Sequence, residues 1–175
     1  NGQVARVLAD QFEQVVATDI SERQLAQAEP RPNLTCRRLR AEQTDFPDEQ
    51  FDLVTVAQAA HWFDTEAFHR ELQRVLKPGG LFARWGYGLL RIEPEVDALI
   101  DVFYWETLKG YWHPQRRHID RAYASLPFPF AEIPVPDLQL EVSFSVDALC
   151  GYFRSWSSVQ NYLKQRGENP VDALE

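Results

Sequence analysis

Short apolar runs alternate with amphipathic segments through the first half of the chain. Strands are predicted where β-branched or aromatic residues cluster, at 14–17, 34–40, 51–57 and 81–87. Helices are predicted where apolar residues recur at three- and four-residue spacing, at 3–11, after Ser21 and at 64–76. The Lys-Pro-Gly-Gly motif at 77–80 is expected to end the last of these helices. This alternation predicts a doubly wound, mostly parallel α/β sheet.

The pattern changes after Gly88. Beyond it the sequence predicts a helix, a basic and aromatic stretch, proline-punctuated connections, a strand and one or two further helices, at 96–104, 111–118, 126–136, 138–144 and 145–164 respectively. Because single domains commonly run roughly 100 to 200 residues, we predict a single domain over residues 1–175, and no internal repeat or flexible linker divides the chain.

The composition narrows the classes of partner. The net charge of −8 and the pI near 5.0 argue against nucleic acid and anionic membranes, since both need clustered Lys and Arg. Cys36 and Cys150 lack the spacing of a metal site, so we expect buried free thiols and no metal. Neither a membrane span of roughly 20 apolar residues nor a signal-peptide pattern is present. We expect a soluble cytoplasmic protein with no obligate protein partner.

Gly2 and Asp19 have the spacing of a nucleotide-binding site. In nucleotide-binding α/β folds a glycine loop ends at the first helix, and an acidic residue about 20 residues further on binds a ribose hydroxyl. Gly2 lies where such a loop would end, and Asp19 follows it by 17 residues. A solvent-facing Asp that caps a strand would explain Asp19 equally well, and a nicotinamide cofactor would account for the same pair.

Five motifs, in a consistent order, carry a resemblance to a known family. They lie at 1–3, 16–21, 41–47, 51–54 and 72–81. Together they resemble the class I S-adenosylmethionine-dependent methyltransferases of type 11, in particular the trans-aconitate methyltransferase-like branch. The resemblance implies a Rossmann-like methyltransferase fold and S-adenosylmethionine as the cofactor. It also implies that Gly2, Asp19, Ile20, Ala41 and Glu42 border the ribose and adenine of that methyl donor.

The segment Gln-Ala-Ala-His-Trp-Phe at 58–63 is similar to the signature that follows the fourth strand in this branch. Ligands of open parallel sheets bind beyond the carboxyl ends of the strands, so Gln58 and Trp62 are expected to border the methyl donor. An indole face attracts a cation such as a sulfonium by about 0.5 to 2 kcal/mol. Alternatively, Trp62 and Phe63 only pack against the start of the next helix.

His61 is the predicted catalytic residue, and its role depends on the acceptor. A hydroxyl or amine acceptor requires a base, whereas a carboxylate is already ionised at pH 7. Arg116 and Arg117, together with Tyr123, suit a carboxylate, which agrees with a trans-aconitate-like substrate. The basic stretch at 111–118 could equally be a solvated helix end, and Tyr87 is either a pocket wall or a core residue.

Residues 88–137 are interpreted as a helical and proline-rich insertion on the substrate side.

The resemblance also implies a strand before the glycine loop and another after the last helix, and neither occurs within these 175 residues. We therefore expect an incomplete segment of a larger enzyme that folds and binds its cofactor poorly alone. The predicted activity is methyl transfer from S-adenosylmethionine to a small molecule, and a carboxylate is the first candidate acceptor. The alternatives are a catalytically inactive methyltransferase-like binding protein and, less favoured, an NAD-dependent oxidoreductase.

Overall fold

The computed structural model describes residues 2–136 and 138–174, which form two compact units. The strand unit comprises the residues up to Gly86 together with Leu126–Pro129. The helical unit comprises Tyr87–Ser125 and the residues from Phe130 onward.

The strand unit alternates helices and strands as the sequence predicts. Its elements are α1 (Gln3–Ala9), β1 (Val15–Asp19), α2 (Glu22–Leu25), β2 (Leu34–Arg38), β3 (Phe51–Ala57), α3 (Thr65–Val75) and β4 (Leu76–Trp85). β1 pairs with β2 and β3 pairs with β4, both in parallel, and each pair forms its own two-stranded sheet. The parallel pairing confirms the predicted α/β class.

α3 is a short amphipathic helix that joins β3 to β4. It begins after Asp64, whose side chain accepts a hydrogen bond from Ala67 N at 3.0 Å and so satisfies one free backbone donor. Phe68, Leu72 and Val75 on its apolar face are buried. The ring centroid of Phe68 lies 5.8 Å from that of Phe82 in β4. The apolar spacing that predicted this helix therefore marks the face that covers the sheet.

The Lys-Pro-Gly-Gly motif lies inside β4, and the predicted start of that strand near Leu81 is wrong. α3 ends at Val75 and β4 begins at the next residue, so the motif forms a bulge between the pairs Phe51↔Leu76 and Leu53↔Leu81. At Gly80 an added Cβ would lie 2.9 Å from Lys77 O and 3.1 Å from Phe51 O. The bulge therefore requires a glycine at this position.

The helical unit contains α4 (Pro94–Val102), a π-helical turn (Phe103–Thr107), α5 (Arg116–Asp120), α6 (Val146–Arg154), α7 (Ser157–Arg166) and a 3₁₀ turn (Pro170–Ala173). Its core is mostly apolar and aromatic and brings together Ile100, Phe103, Leu108, Cys150, Phe153, Val159 and Val171. The sequence predicts one or two helices within 145–164, and the structure has two, α6 and α7.

Two further predictions about local structure are wrong. The segment 138–144 is not a strand, although its side chains alternate; Leu138 is 80% exposed and Leu140 is 73% exposed. A strand needs a backbone partner as well as an apolar face, and no described residue pairs with this segment. Cys36 is exposed rather than buried, because it lies on β2 where only Leu34 and Arg37 are partly covered, while Cys150 is buried as expected.

We predict that Gly80→Ala lowers the free energy of unfolding by about 1 to 3 kcal/mol, because the added methyl group meets two backbone oxygens. The matched control is Gly88→Ala, where an added Cβ meets no atom within 4 Å and which we expect to change stability by less than about 0.5 kcal/mol. The measurement is the urea midpoint of each variant. Equal midpoints for the two variants would contradict the proposed crowding in the bulge.

Candidate functional site

Asp19 and Ile20 lie at the carboxyl end of β1. The Asp19 carboxylate is partly buried and its Oδ1 accepts a hydrogen bond from Ser21 N at 2.8 Å, which orients it at the turn into α2. Ile20 follows with its side chain 67% exposed. The strand end thus presents one carboxylate and one apolar side chain side by side.

A cavity of about 350 Å³ lies beside this strand end, lined by Ile20, Arg38, Leu39 and Arg40. Arg38 donates from Nε to Ile20 O at 3.2 Å and from Nη1 to Glu22 Oε1 at 2.8 Å, so it ties the end of β2 to the start of α2. Sequence reasoning missed Leu39. Its place near Asp19 follows from the parallel register, which sets Arg38 opposite Asp19, and none of the five sequence motifs includes it.

Ala41 and Glu42 lie in the loop between β2 and β3. Glu42 is largely buried, with a side chain 11% exposed; its Oε1 accepts from Asp64 N at 3.2 Å and its Oε2 lies 3.5 Å from Arg40 Nε. Asp64 is the residue before α3, two positions after Trp62. Glu42 therefore attaches this loop to the turn that contains His61 and Trp62.

The exit of β3 brings Gln58, His61 and Trp62 into one tight turn. Gln58 has a φ of 53°, a conformation that costs a non-glycine residue energy, and its N–H donates to Trp85 O at 3.0 Å. His61 and Trp62 belong to a 3₁₀ turn (Ala60–Trp62) and their ring centroids lie 4.6 Å apart. His61 is 6% exposed and Trp62 is 55% exposed, so the indole is open to solvent and the imidazole is not.

Phe63 differs from Trp62 in its surroundings. Its ring lies 4.8 Å from Phe68, and it faces a small aromatic cavity whose lining includes His69, Phe82, Arg84 and Leu126. Burial, and then the charge of Arg84, hold the pKa of His69 below its ordinary value. Packing against the start of α3 is the alternative role considered for Trp62 and Phe63. The contact with Phe68 supports that role for Phe63.

The arginines of the basic stretch, which belongs to the helical unit, have different environments. Arg116 donates from Nε to the Tyr104 hydroxyl at 2.8 Å, and that hydroxyl donates to Asp120 Oδ1 at 2.7 Å. The Arg116 guanidinium also lies 5.0 Å from the centroid of the Trp112 ring, a cation–π contact. Burial, and then the hydrogen bond with Asp120, raise the pKa of Tyr104. Arg116 is therefore engaged within the unit.

The remaining predicted substrate residues are spread over the same unit. Arg117 is exposed, and no carboxylate of the described residues lies within ion-pair distance of it. Tyr87 is 50% exposed and so is not a core residue. Tyr123 is 4% exposed and follows α5 with a φ of 60°. Of this group, Arg117 and Tyr87 are the residues exposed to solvent.

Two classes of feature are absent from residues 2–136 and 138–174. No group of three or more His, Cys, Asp or Glu side chains could hold a metal ion. None of the helices described is long and apolar enough to cross a membrane.

Comparisons with known proteins identify the family. Residues 1–83 match the methyltransferase domain family. A relative from Dictyostelium discoideum, named as a methyltransferase, is 35% identical over 178 residues. The match covers 100% of this chain and 68% of the relative. The solved structure of a protein from Anaeromyxobacter dehalogenans, described as a type II methyltransferase, matches with a TM-score of 0.89 and 41% identity, over 99% of this chain and 74% of that one.

The chain belongs to the class I S-adenosylmethionine-dependent methyltransferases. A methyltransferase-like protein of Schizosaccharomyces pombe is 37% identical over 76 residues, which cover 43% of this methyltransferase and 30% of the relative. These names describe the reaction in general terms, so the trans-aconitate methyltransferase-like branch stays a prediction. Within the motif at 1–3, Asn1 lies outside the described residues.

Gly2 of the methyltransferase has a steric reason to be glycine. It has a φ of 74° at the start of α1, and an added Cβ would lie 2.6 Å from Ala28 Cβ. A side chain at this position would push α1 away from the segment that follows α2. This packing accounts for the glycine without a ligand, and the cofactor role predicted from the resemblance is additional to it.

Glu71 and Arg74 of α3 form an ion-pair network that sequence reasoning missed. Arg74 donates to Glu71 from Nη2 at 2.7 Å and from Nε at 3.0 Å, and Glu71 Oε1 also accepts from Thr44 N at 2.8 Å and from the Thr44 hydroxyl. The hydrogen bond from Arg74, aided by those from Thr44, lowers the pKa of Glu71 from its ordinary 4.5 to about 2. The available signal was the Glu-x-x-Arg spacing just before the glycine motif.

We predict that Glu71→Gln lowers the free energy of unfolding of the methyltransferase by about 1 to 2 kcal/mol at pH 7, because Gln keeps one acceptor but loses the charge that faces Arg74. The pKa of Glu71 is lower in the folded protein, so its carboxylate stabilises the fold above about pH 4.5 and the effect is lost as the pH falls towards 2. The difference in free energy of unfolding between wild type and Glu71→Gln should therefore become smaller as the pH falls from 4.5 towards 2.

The measurement is urea unfolding of both proteins at pH 7 and at pH 3. Glu66→Gln is the matched control, since Glu66 lies on the same helix with its side chain 90% exposed, and it should change stability by less than about 0.5 kcal/mol. A difference between wild type and Glu71→Gln that does not shrink at pH 3 would contradict this explanation.

Proposed function

We propose that the protein transfers a methyl group from S-adenosylmethionine to a small-molecule acceptor that carries a carboxylate. The observation that carries the donor half of this proposal is the strand end at Asp19. There the fixed Asp19 carboxylate is followed by Ile20, which lines a cavity together with Leu39, Arg38 and Arg40. A ribose needs an acceptor for its hydroxyl groups, and an adenine needs apolar side chains against its faces, so the chemistry of these residues fits the nucleoside of the donor.

Each donor-side residue has a distinct role in this proposal. The Asp19 carboxylate accepts hydrogen bonds from the two ribose hydroxyls, in the manner of charged acceptors in nucleoside sites. Ile20 lies against one face of the adenine. Ala41 and Glu42 border the edge of the adenine, where the loop is attached to α3 through Asp64.

Trp62 and Gln58 border the reactive end of the donor. S-adenosylmethionine supplies an electrophilic methyl group on a sulfonium cation. The exposed Trp62 indole attracts such a cation through its ring face and excludes water from that side, and its position is set by packing against the buried His61. The strained backbone of Gln58 directs the turn back from β3, which favours a role for this turn in ligand binding.

The donor site is tested with S-adenosylhomocysteine, the demethylated product of the donor, by calorimetry on the complete enzyme. We expect Asp19→Asn to weaken binding by about 1 to 3 kcal/mol, because Asn retains an acceptor for Ser21 N but loses the charge that binds the ribose. Asp10→Asn, at the end of α1, is the control and should bind as wild type does. An unchanged affinity for Asp19→Asn would place the nucleoside elsewhere.

A carboxylate-bearing acceptor is supported by the arginines of the helical unit. Arg117 is exposed and offers a planar guanidinium that can bind both oxygens of a carboxylate, and the half-exposed Tyr87 belongs to the same unit. Arg116 and Tyr123 support this site by packing, since Arg116 lies against Trp112 and Tyr123 is buried. The acceptor carboxylate is ionised at pH 7 and attacks without losing a proton, so in-line alignment is the main requirement.

This acceptor class predicts a small effect of His61→Asn. Turnover of small carboxylic acids should fall by less than about tenfold, because no general base is needed, whereas a hydroxyl or amine acceptor would lose about 10² to 10⁴ in kcat. The measurement is S-adenosylhomocysteine production with matched sets of carboxylic acids, phenols and amines. Turnover of phenols or amines alone would contradict the carboxylate assignment. Donor binding without turnover of any acceptor would favour an inactive binding protein.

A further inference from the structure

The loop between β2 and β3 needs an external support. Residues 40–48 contain Ala41 and Glu42 but form no helix, and within the described residues the loop's own backbone pairing is a single bridge between Arg40 and Gln43. A loop with so little internal pairing adopts one conformation only where other elements hold it. The contacts of α3 provide that support.

Arg74 binds the loop at several points. Its Nη1 donates to Phe46 O at 2.6 Å and to Asp48 Oδ1 at 2.7 Å, while its own backbone carbonyl accepts from Glu49 N at 2.9 Å. Glu71 receives the other side of the guanidinium and also accepts from the amide and the hydroxyl of Thr44. The pair therefore binds main-chain atoms of the loop, which a simple surface ion pair does not do.

Asp64, the residue before α3, binds the same loop, because its N–H donates to Glu42 Oε1 at 3.2 Å. The loop is thus bound near both ends of α3, at Asp64 and at the pair Glu71 and Arg74. The helix begins just after the turn that contains His61 and Trp62. Any loosening at Arg74 would free the part of the loop next to Ala41 and Glu42.

We propose that Glu71 and Arg74 are positioning residues for the methyl donor, which act by fixing the loop that borders its adenine. This inference rests on the donor site proposed above. Arg is required at position 74 because only a guanidinium can donate in one plane to Glu71, Phe46 and Asp48 together. Arg70, on the same helix, pairs with Glu66 at 4.0 Å with a side chain 72% exposed and does not contact the loop.

The test compares Arg74→Lys, Arg74→Gln and Glu71→Gln with the control Arg70→Gln in the complete enzyme. We expect the Kd for S-adenosylhomocysteine and the KM for the donor to rise about tenfold or more in the first three. The KM for the acceptor should stay within about twofold, and Arg70→Gln should match wild type. Val159→Ala, in the core of the helical unit, controls for stability: it should lower the unfolding midpoint without changing donor affinity.

Wild-type donor affinity in the Arg74 variants would overturn the proposal, as would an equal loss of affinity in Val159→Ala. A wild-type enzyme that does not bind S-adenosylhomocysteine would instead overturn the donor site itself, and with it this inference. Amide hydrogen exchange gives a second readout that needs no ligand: Thr44 N–H, which donates to Glu71, should exchange faster in Glu71→Gln and in the Arg74 variants but not in Arg70→Gln.

Discussion

Parallel strands cannot be joined by a tight turn, so the pairing of β3 with β4 requires the chain to travel back along the sheet before β4 begins. α3 makes that return, and it is held by the burial of Phe68, Leu72 and Val75. The helix can start only after the chain has turned away from the end of β3. That turn holds Gln58, His61 and Trp62 at the carboxyl end of a strand, where open parallel sheets bind their ligands.

The polar side of α3 has a second task. The apolar side of α3 covers the sheet, while Glu71 and Arg74 bind the main chain of the loop after β2. Asp64, just before the helix, binds Glu42 of the same loop. The same helix therefore connects the turn after β3 with the loop after β2. A charged pair at the surface contributes little by itself, but this pair satisfies backbone groups of a loop that has little other support.

The helical unit shows that neighbouring residues of one basic stretch serve different purposes. Arg116 lies against aromatic rings and donates to Tyr104, so its charge is used within the unit, whereas Arg117 points to solvent. The aromatic richness of the chain has a similar explanation, because Phe103, Phe153 and Trp156 contact one another in the core. Part of the large aromatic content is therefore explained by packing within the helical unit and needs no ligand.

The sequence by itself determined the class of fold, the four strands of the strand unit, the helix α3, the helical character of the region that forms α6 and α7, and the methyltransferase family. These features follow from local periodicity and short motifs, which need no distant partner. The tertiary structure decided what depends on distant contacts: the bulge at Gly80, the unpaired segment 138–144, the cavity beside Leu39 and the network of Arg74 with the loop. Backbone pairing and side-chain hydrogen bonds join residues about 25 to 30 positions apart, as Arg74 and Thr44 are, and no pattern within one segment encodes such a partner.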